Sequence, residues 1–174
     1  MVTRKIFKNA TTSQSAIRDA LAFLFAQELL TPSAHIFVVA PWISNIVLFD
    51  NRQGGFMSLN PEWSRTDIYL IEVLTALAAR GSHLHIHVNG DTHNRYFETR
   101  LKEALGDTGV LTKCIWKAHQ YLHTKGILTE QVLISGSMNL TRNGVKILDE
   151  SVDINYDPNA LSAARVHYDL YEQS

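Results

Sequence analysis

Cysteine is nearly absent from this chain of 174 residues, because Cys114 is the only one. An intrachain disulfide is therefore excluded, and a zinc site built on cysteines is not expected. The sequence also has no apolar run of the roughly 18 residues that a membrane-spanning helix needs. No apolar segment follows the basic residues at the N-terminus, as a secretory signal would require. These absences predict a cytoplasmic protein without a membrane partner.

Neither sign of charge is in excess, since 16 basic and 17 acidic residues give a formal net charge of −1. The field of the whole protein does not attract polyanions, so any phosphate-binding surface must be a local patch. Hydrophobic residues make up 45% and charged residues 19%, which is typical of a globular chain with a core. There is no internal repeat, linker or low-complexity tract, and one domain over residues 1–174 is the simplest organisation.

Segments with helical and strand-like patterns alternate along the chain. Helices are expected at 13–30, at 64–80 with Ser64 and Asp67 as a capping box, at about 92–105, and after Asp157. Strands are expected at 35–40, 84–88, 110–116 and 151–155, with a hairpin over 121–136 and a long irregular loop over 43–62. This order predicts an α/β protein with a mixed β-sheet flanked by helices on both faces.

The stretch with the most chemical content begins at His123 and Lys125, which are separated by one residue. In an extended segment these two side chains share a face. Gly136, Ser137 and Asn139 follow after a short apolar run. These residues supply an imidazole, an ammonium group, a hydroxyl and a carboxamide. Together these groups are suited to holding a phosphate and attacking its phosphorus. No dense cluster of carboxylates suggests a Mg²⁺ site, so neither a metal nor a cofactor is expected.

From His123 to Glu150 the chain resembles the H-x-K…G-S-x-N signature of the phospholipase D superfamily. The resemblance implies a phospholipase D-like fold and hydrolysis of phosphodiesters through a phosphohistidine on His123. The expected roles are charge stabilisation by Lys125 and Asn139, phosphate binding or loop orientation by Ser137, and a hydrogen bond to the histidine ring by Glu150. The family builds one site from two copies of the signature. This chain has one copy, so the resemblance implies a homodimer.

Two features depart from the family pattern. The family usually has an aspartate a few residues after the lysine, where this chain has Glu130, and the hairpin is one residue shorter. The aspartate is a turn residue in the family and not a reactant. The departures therefore concern the geometry of the hairpin rather than the chemistry.

Four further residues are weaker candidates for substrate binding. Arg142 and Lys146 come just after the signature, where they could contact backbone phosphates. His93 and Asn94 follow the expected strand at 84–88, where α/β sheets place ligand-binding loops. For this second pair, the start of a helix is an equally good explanation.

Two groups of rings allow more than one interpretation. Three histidines alternate along the expected strand at 84–88, so they could form a metal face, the polar side of an edge strand, or a surface packed under a helix: His83, His85 and His87. Four aromatic residues lie in or beside the 43–62 loop, where they could stack on bases or pack a dimer interface: Trp42, Phe49, Phe56 and Trp63.

The length of the chain and its single signature favour the small single-motif nucleases of the superfamily over its lipid enzymes. The segment from Val39 to Asn45, followed by Phe49 to Arg52, also resembles the phospholipase D-like DpdK proteins. Those accompany bacterial clusters that insert deazapurines into DNA. This implies a nuclease acting on DNA in phage defence, with protein partners from such a system. The alternatives are a phosphodiesterase or lipase acting on a small or lipid substrate, and a non-catalytic module that binds DNA or a partner.

Overall fold

The computed structural model describes residues 3–9, 15–146 and 149–173. The strands are β1 (Thr3–Lys8), β2 (His35–Val39), β3 (Val47–Asp50), β4 (Asp67–Tyr69), β5 (His83–Val88), β6 (Cys114–Ala118), β7 (Gly126–Leu128), β8 (Leu133–Gly136) and β9 (Glu150–Asn155). The helices are α1 (Ala16–Leu30), α2 (Leu70–Ala79), α3 (Asn94–Asp107), α4 (Arg142–Lys146) and α5 (Pro158–Gln173). Within this described part of the chain, no helix has the length and apolarity needed to cross a membrane.

A seven-stranded sheet organises the molecule, with the order β1-β9-β8-β7-β2-β5-β6. β2, β5 and β6 run parallel to one another, and the remaining neighbours pair antiparallel. β3 and β4 form a separate antiparallel pair. The predicted mixed sheet is therefore confirmed.

Helices cover both faces of this sheet, as the sequence predicts. Ile36 and Val38 of β2 join the main core with α1, α2 and α3, while Phe37 and Val39 pack with Tyr168 of α5 on the opposite face. A strand covered on both sides must be apolar at every position, and these four residues are at most 1% exposed. The continuous apolar run of β2 thus accounts for its place in the centre of the sheet.

One edge of the sheet collects the loops that carry the candidate site residues. β2 and β5 both end there, since Val39 pairs with His87. β7 begins there because it runs antiparallel to β2, with Gly126 opposite Val39. β8 ends and β9 begins at the same edge, where Gly136 pairs with Val152. The segments around residues 40–45, 89–94, 119–125, 136–141 and 150 therefore meet along a single edge.

Several predicted boundaries are wrong, each for a local reason. α2 begins at Leu70 and not at Ser64, because residues 67–69 form β4 and Glu72 accepts a hydrogen bond from the Tyr69 backbone N–H at 3.0 Å. The expected loop over 43–62 contains β3, and the strand expected at 110–116 starts at Cys114 after a short 3₁₀ turn. β1 has no counterpart in the sequence prediction. It is an edge strand held by six residue pairs to β9.

Candidate active site

His123 and Lys125 lie in the extended segment just before β7. Leu122 packs into the core under α5, and the Tyr171 hydroxyl donates a hydrogen bond to Thr124 Oγ1 at 2.9 Å. Because side chains alternate along an extended chain, His123 and Lys125 share the opposite side. The His123 side chain is exposed, whereas Lys125 is 9% exposed and its Nζ donates to the His123 carbonyl oxygen at 2.6 Å. The segment thus presents an accessible imidazole above a largely covered ammonium group.

The environment of Lys125 alters its titration. Burial lowers the pKa of Lys125 below its usual value of 10.5, and the charge of Glu150 acts in the opposite direction. Lys125 lines a small cavity of about 10 Å³ together with Gly136 and Ser135 at the end of β8. The ammonium group is therefore held against the turn that carries the second half of the signature.

Gly136 allows the start of that turn to lie very close to the backbone of β9. Its φ is 154°, and a Cβ at this position would lie 2.1 Å from the Ser151 carbonyl oxygen. Two hydrogen bonds hold the turn against β9 at the next residue. Ser137 N donates to Ser151 O at 3.0 Å, and Ser151 N donates to Ser137 Oγ at 3.0 Å. The Ser137 hydroxyl in turn donates to a Glu150 carboxylate oxygen. Ser137 thus joins the turn both to the Ser151 backbone and to the Glu150 carboxylate.

The Glu150 carboxylate accepts its hydrogen bond from the Ser137 hydroxyl. Among residues 3–9, 15–146 and 149–173, no hydrogen bond joins Glu150 to the His123 ring. The electrostatic influence of Glu150 on Lys125 nevertheless places its charge close to the signature lysine. In this structure Glu150 acts on the site through Ser137 and Lys125.

Asn139 is fixed by the backbone of a distant loop. Trp42 N donates to Asn139 Oδ1 at 3.3 Å. A backbone N–H can only donate, so the carboxamide oxygen must face Trp42 and the amide NH₂ group points elsewhere. The neighbouring residues reinforce this contact, since Ser44 N donates to the Leu140 carbonyl oxygen at 2.8 Å. The donor group of Asn139 is thereby available to a phosphate oxygen.

Asn94 clamps the loop that carries Trp42. The Asn94 side chain donates to Pro41 O at 2.9 Å and accepts from Ile43 N at 2.9 Å, so it binds the peptide groups on both sides of Trp42. It is 3% exposed. These contacts occupy its amide within the protein, and its contribution to the site is the position of this loop.

His93 lies at the same edge with a more open side chain. Its Nε2 is 3.0 Å from the Ser44 hydroxyl, and its backbone N–H donates to Asp91 at 2.8 Å. The structure therefore brings His93 into contact with the loop that holds Asn139.

Arg142 and Lys146 are both exposed on α4, directly after the signature. They line a groove of about 230 Å³ together with Tyr69 of the β3–β4 hairpin. A Cβ on Gly144 would lie 2.4 Å from the Asn139 carbonyl oxygen. The glycine at that position lets α4, which carries both cations, pack closely against the signature.

The three alternating histidines of β5 share a face, and α5 covers the part of it that holds His85 and His87. His85 contacts His35 at 2.9 Å and the Glu172 carboxylate, while His87 contacts His119 at 3.1 Å. Lys113 Nζ lies 3.2 Å from His83 Nε2. No group of three or more His, Cys, Asp or Glu residues could hold a metal ion in the part of the chain that the structure describes. For His85 and His87, packing under a helix is the alternative that the structure realises, whereas His83 is exposed.

Three of the four aromatic residues of the long loop form a local core. Phe49 stacks on Phe56 at 4.5 Å between ring centroids, and Trp63 lies 5.8 Å from Phe49. Phe49 and Trp63 are 1% and 6% exposed. The expectation that this group stacks on bases or forms a dimer interface is therefore wrong for Phe49 and Trp63, because their rings are buried within the chain. Trp42 differs, since it is 37% exposed.

Sequence reasoning missed two residues at this edge, Ser44 and Asp91. Asp91 Oδ2 accepts from the indole Nε1 of Trp42 at 3.2 Å. Hydrogen bonds from the His93 backbone and the Trp42 indole lower the pKa of Asp91 and outweigh the opposing effect of burial. A signal was present in Asn89-Gly-Asp91 directly after β5, which is a turn sequence at a strand end.

Comparison with solved structures shows the same fold in distant proteins. Nuc of Salmonella typhimurium, described as a phospholipase D family member, shares 12% identity over 99% of this chain and 94% of its own, with a TM-score of 0.63. NucT from Helicobacter pylori gives 12% identity over 99% and 98%, with a TM-score of 0.64. TrmBL2, an archaeal chromatin protein described as binding DNA, gives 10% identity over 99% and 52%, with a TM-score of 0.56.

Sequence comparisons give the family directly. No curated protein sequence matches the chain significantly. A family model described as cardiolipin synthase, PLD-like domain, matches residues 57–169, which include the entire signature from His123 to Glu150. This match supports phosphodiester chemistry in general and confirms the resemblance drawn from the motif. The chain belongs to the phospholipase D-like domain family.

Proposed function

We propose that this protein is a metal-independent nuclease that cleaves DNA through a phosphohistidine, in an active site shared by two copies of the chain. One observation carries the proposal: the His123 side chain is exposed, while Lys125, two residues on, is largely covered and donates from Nζ to the His123 carbonyl oxygen at 2.6 Å. The Asn139 carboxamide accepts from Trp42 N through its oxygen, which leaves its NH₂ group to donate to a ligand. A nucleophile and two groups for phosphate oxygens are thus present at one sheet edge.

The chemistry follows from these groups. A ring nitrogen of His123 attacks phosphorus and forms a P–N bond as the P–O bond to the leaving group breaks. The His123 of a second copy gives its proton to the leaving oxygen. Water then attacks the phosphohistidine, the second histidine takes a proton from that water, and breakage of the P–N bond restores His123. Covalent catalysis of this kind divides one difficult displacement into two easier ones.

Lys125 and Asn139 supply the electrostatic part of the mechanism. Negative charge accumulates on the equatorial oxygens of phosphorus during each displacement. The covered ammonium group and the oriented amide would stabilise that charge without reorganising, because β8 and the Trp42 loop already hold them. Glu150 and Ser137 keep the turn in place, and the charge of Glu150 favours the protonated form of Lys125.

Nucleic acid is the substrate class that the surroundings favour. Arg142 and Lys146 line an open groove beside the signature, where successive backbone phosphates would lie. The fold is shared with TrmBL2, which is described as binding DNA. The likeness of the Val39–Asn45 segment to DpdK proteins supports the proposal of DNA as the nucleic acid, and of a role in a defence or DNA-modification system with partners of its own.

A direct test compares the wild type with His123→Ala on single-stranded and double-stranded DNA and RNA in EDTA. We expect the wild type to cleave DNA and the variant to be inactive with an unchanged melting temperature. His83→Ala is the matched control, since this exposed histidine starts β5 at the opposite edge and should keep full activity. Cleavage of a chromogenic phosphodiester or a phospholipid without cleavage of any nucleic acid would contradict the proposal.

A further inference from the structure

Trp42 has a different environment from the other aromatic residues of its loop. Its neighbours Ala40, Pro41 and Ile43 are buried, whereas the Trp42 side chain is 37% exposed. Its backbone N–H is the group that binds Asn139 Oδ1 at 3.3 Å. The indole therefore stands within one side-chain length of the carboxamide that is expected to hold the scissile phosphate.

The indole is held in one orientation. Its Nε1 donates to Asp91 Oδ2 at 3.2 Å, and Asp91 Oδ1 in turn accepts from His93 N at 2.8 Å. Because hydrogen bonds lower the pKa of Asp91, the carboxylate stays ionised and keeps accepting from the indole at neutral pH. Asn94 binds the peptide groups on both sides of the tryptophan. Both the backbone and the ring of Trp42 are thus fixed before any ligand arrives.

We infer that Trp42 is a base-stacking platform for the nucleotide next to the scissile phosphate, and that it makes an unpaired base part of the preferred substrate. The inference rests on the proposed nuclease function. A rigid aromatic face is suited to this task because every base has a π-face, so stacking does not depend on sequence. A base inside a duplex has both faces covered by its neighbours. Stacking on Trp42 therefore requires a single-stranded, frayed or flipped nucleotide.

The orientation of the stacking platform also depends on the hydrogen bond from the indole to Asp91. The Asp91 carboxylate lies at the pyrrole edge of the ring, which leaves the face of the ring for a base. Asp91 acts as a positioning residue, since it touches the indole and not the substrate. The proposal therefore predicts that removing the ring and removing its anchor weaken the same interaction to different degrees.

The test measures binding with His123→Ala protein, so that no turnover occurs. The probes are an oligothymidylate and an abasic oligomer of equal length, which carries the same phosphates without bases. We expect oligothymidylate to quench tryptophan emission and to bind more tightly than the abasic oligomer. Adding Trp42→Ala should abolish the quenching and weaken oligothymidylate binding about 5- to 100-fold, while the affinity for the abasic oligomer stays unchanged.

Three further variants sharpen the comparison. Trp42→Phe should keep most of the affinity, because phenylalanine still stacks. Asp91→Ala should give an intermediate loss, because the ring remains but is no longer anchored. Phe23→Ala is the control, since Phe23 is 64% exposed on α1 and lines a different groove. This control should change neither affinity nor quenching.

Each other result overturns the inference in a recognisable way. Unchanged oligothymidylate binding by Trp42→Ala, in a protein that still cleaves DNA when His123 is present, refutes stacking and leaves the nuclease function intact. Equal weakening of both oligomers shows a role in loop structure only. A changed oligomeric state of Trp42→Ala, with emission that oligothymidylate does not alter, shows that a second copy covers the ring. Absence of binding and of cleavage by the wild type refutes the nuclease function itself.

Discussion

Lys125 carries its charge in a largely covered position, which links its function to pH. Burial lowers its pKa from 10.5, so the ammonium group is lost at a lower pH than in a free lysine. If the charged form stabilises the transition state, kcat/KM should decline on an alkaline limb below pH 10.5. Lys125→Arg should move that limb to higher pH because arginine stays charged. Lys125→Ala should lose about 10²- to 10³-fold at neutral pH. A pH–rate profile on a chromogenic phosphodiester measures all three.

Glu150 provides the control for this interpretation, because its charge raises the pKa of Lys125. Glu150→Gln can still accept the hydrogen bond from Ser137 but removes the charge. The alkaline limb should therefore move to lower pH in this variant, with a smaller loss of rate at neutral pH than in His123→Ala. A limb that stays in place in both Lys125→Arg and Glu150→Gln would show that another group titrates.

The turn between β8 and the signature asparagine depends on a single glycine. Gly136→Ala would place a Cβ 2.1 Å from the Ser151 carbonyl oxygen, and that backbone atom cannot move without separating β8 from β9. We expect a lower free energy of unfolding and loss of activity. Gly106→Ala is the control, since a Cβ there meets no atom within 4 Å. Alanine is favoured in helix α3 by up to about 1 kcal/mol. Urea unfolding of both variants tests the difference, and equal stability would contradict it.

α5 packs over histidines that are held neutral, and this predicts sensitivity to acid. The pKa of His87 is lowered from 6.5 to about 4, first by burial and then by the charge of His119. Burial also lowers the pKa values of His35, His85 and His119. The unfolded chain therefore binds more protons than the native one between pH 6.5 and about 4. The histidines' contribution is complete above pH 6.5 and is lost as pH falls through this window.

For His87 alone the loss is up to about 3 kcal/mol. Chemical denaturation between pH 7.5 and 4.5 should show a steep decrease in the free energy of unfolding. His87→Phe removes the titrating group, so its slope in this range should be shallower even if its stability at pH 7.5 differs. The same slope in both proteins would show that the acid sensitivity has another origin.

At the scale of elements, the sequence predicts those parts that depend on local patterns. The apolar run of β2 and the spacing of His123 and Lys125 are sufficient to predict a buried strand and a shared side. Local patterns fail where tertiary contacts decide. Glu72 and Tyr69 cap α2 only because β4 pairs with β3, and β1 exists only because β9 offers it a partner.

The topology of the whole molecule determines which residues meet at the site. Trp42 and Asn139 are 97 residues apart in sequence, and Ser44 and His93 are 49 apart. Their contacts follow from the sheet order, in which β7 returns antiparallel beside β2. The signature residues could be predicted one by one. The loop that orients Asn139 could not, because no local pattern reports which strand ends become neighbours.

The single signature per chain predicts an obligate partnership between two copies. If both His123 side chains act on one phosphate, a dimer of wild type with His123→Ala is inactive. Activity of mixtures should then fall with the square of the wild-type fraction after subunits have exchanged, and sedimentation should show a dimer at assay concentrations. Mixing wild type with His83→Ala should leave activity unchanged. A linear decline with His123→Ala, or a fully active monomer, would contradict the shared site.

The most direct test of the account is to trap the covalent intermediate. Rapid quench of the wild type in alkaline denaturant, which preserves the acid-labile P–N bond, with a phosphodiester labelled at phosphorus, in EDTA, should leave label on the peptide that contains His123. The label should be absent from His123→Ala, and turnover of a chiral phosphorothioate should retain configuration because two displacements occur. Inversion at phosphorus, or cleavage by His123→Ala at the wild-type rate, would show that water attacks directly and that His123 is not the nucleophile.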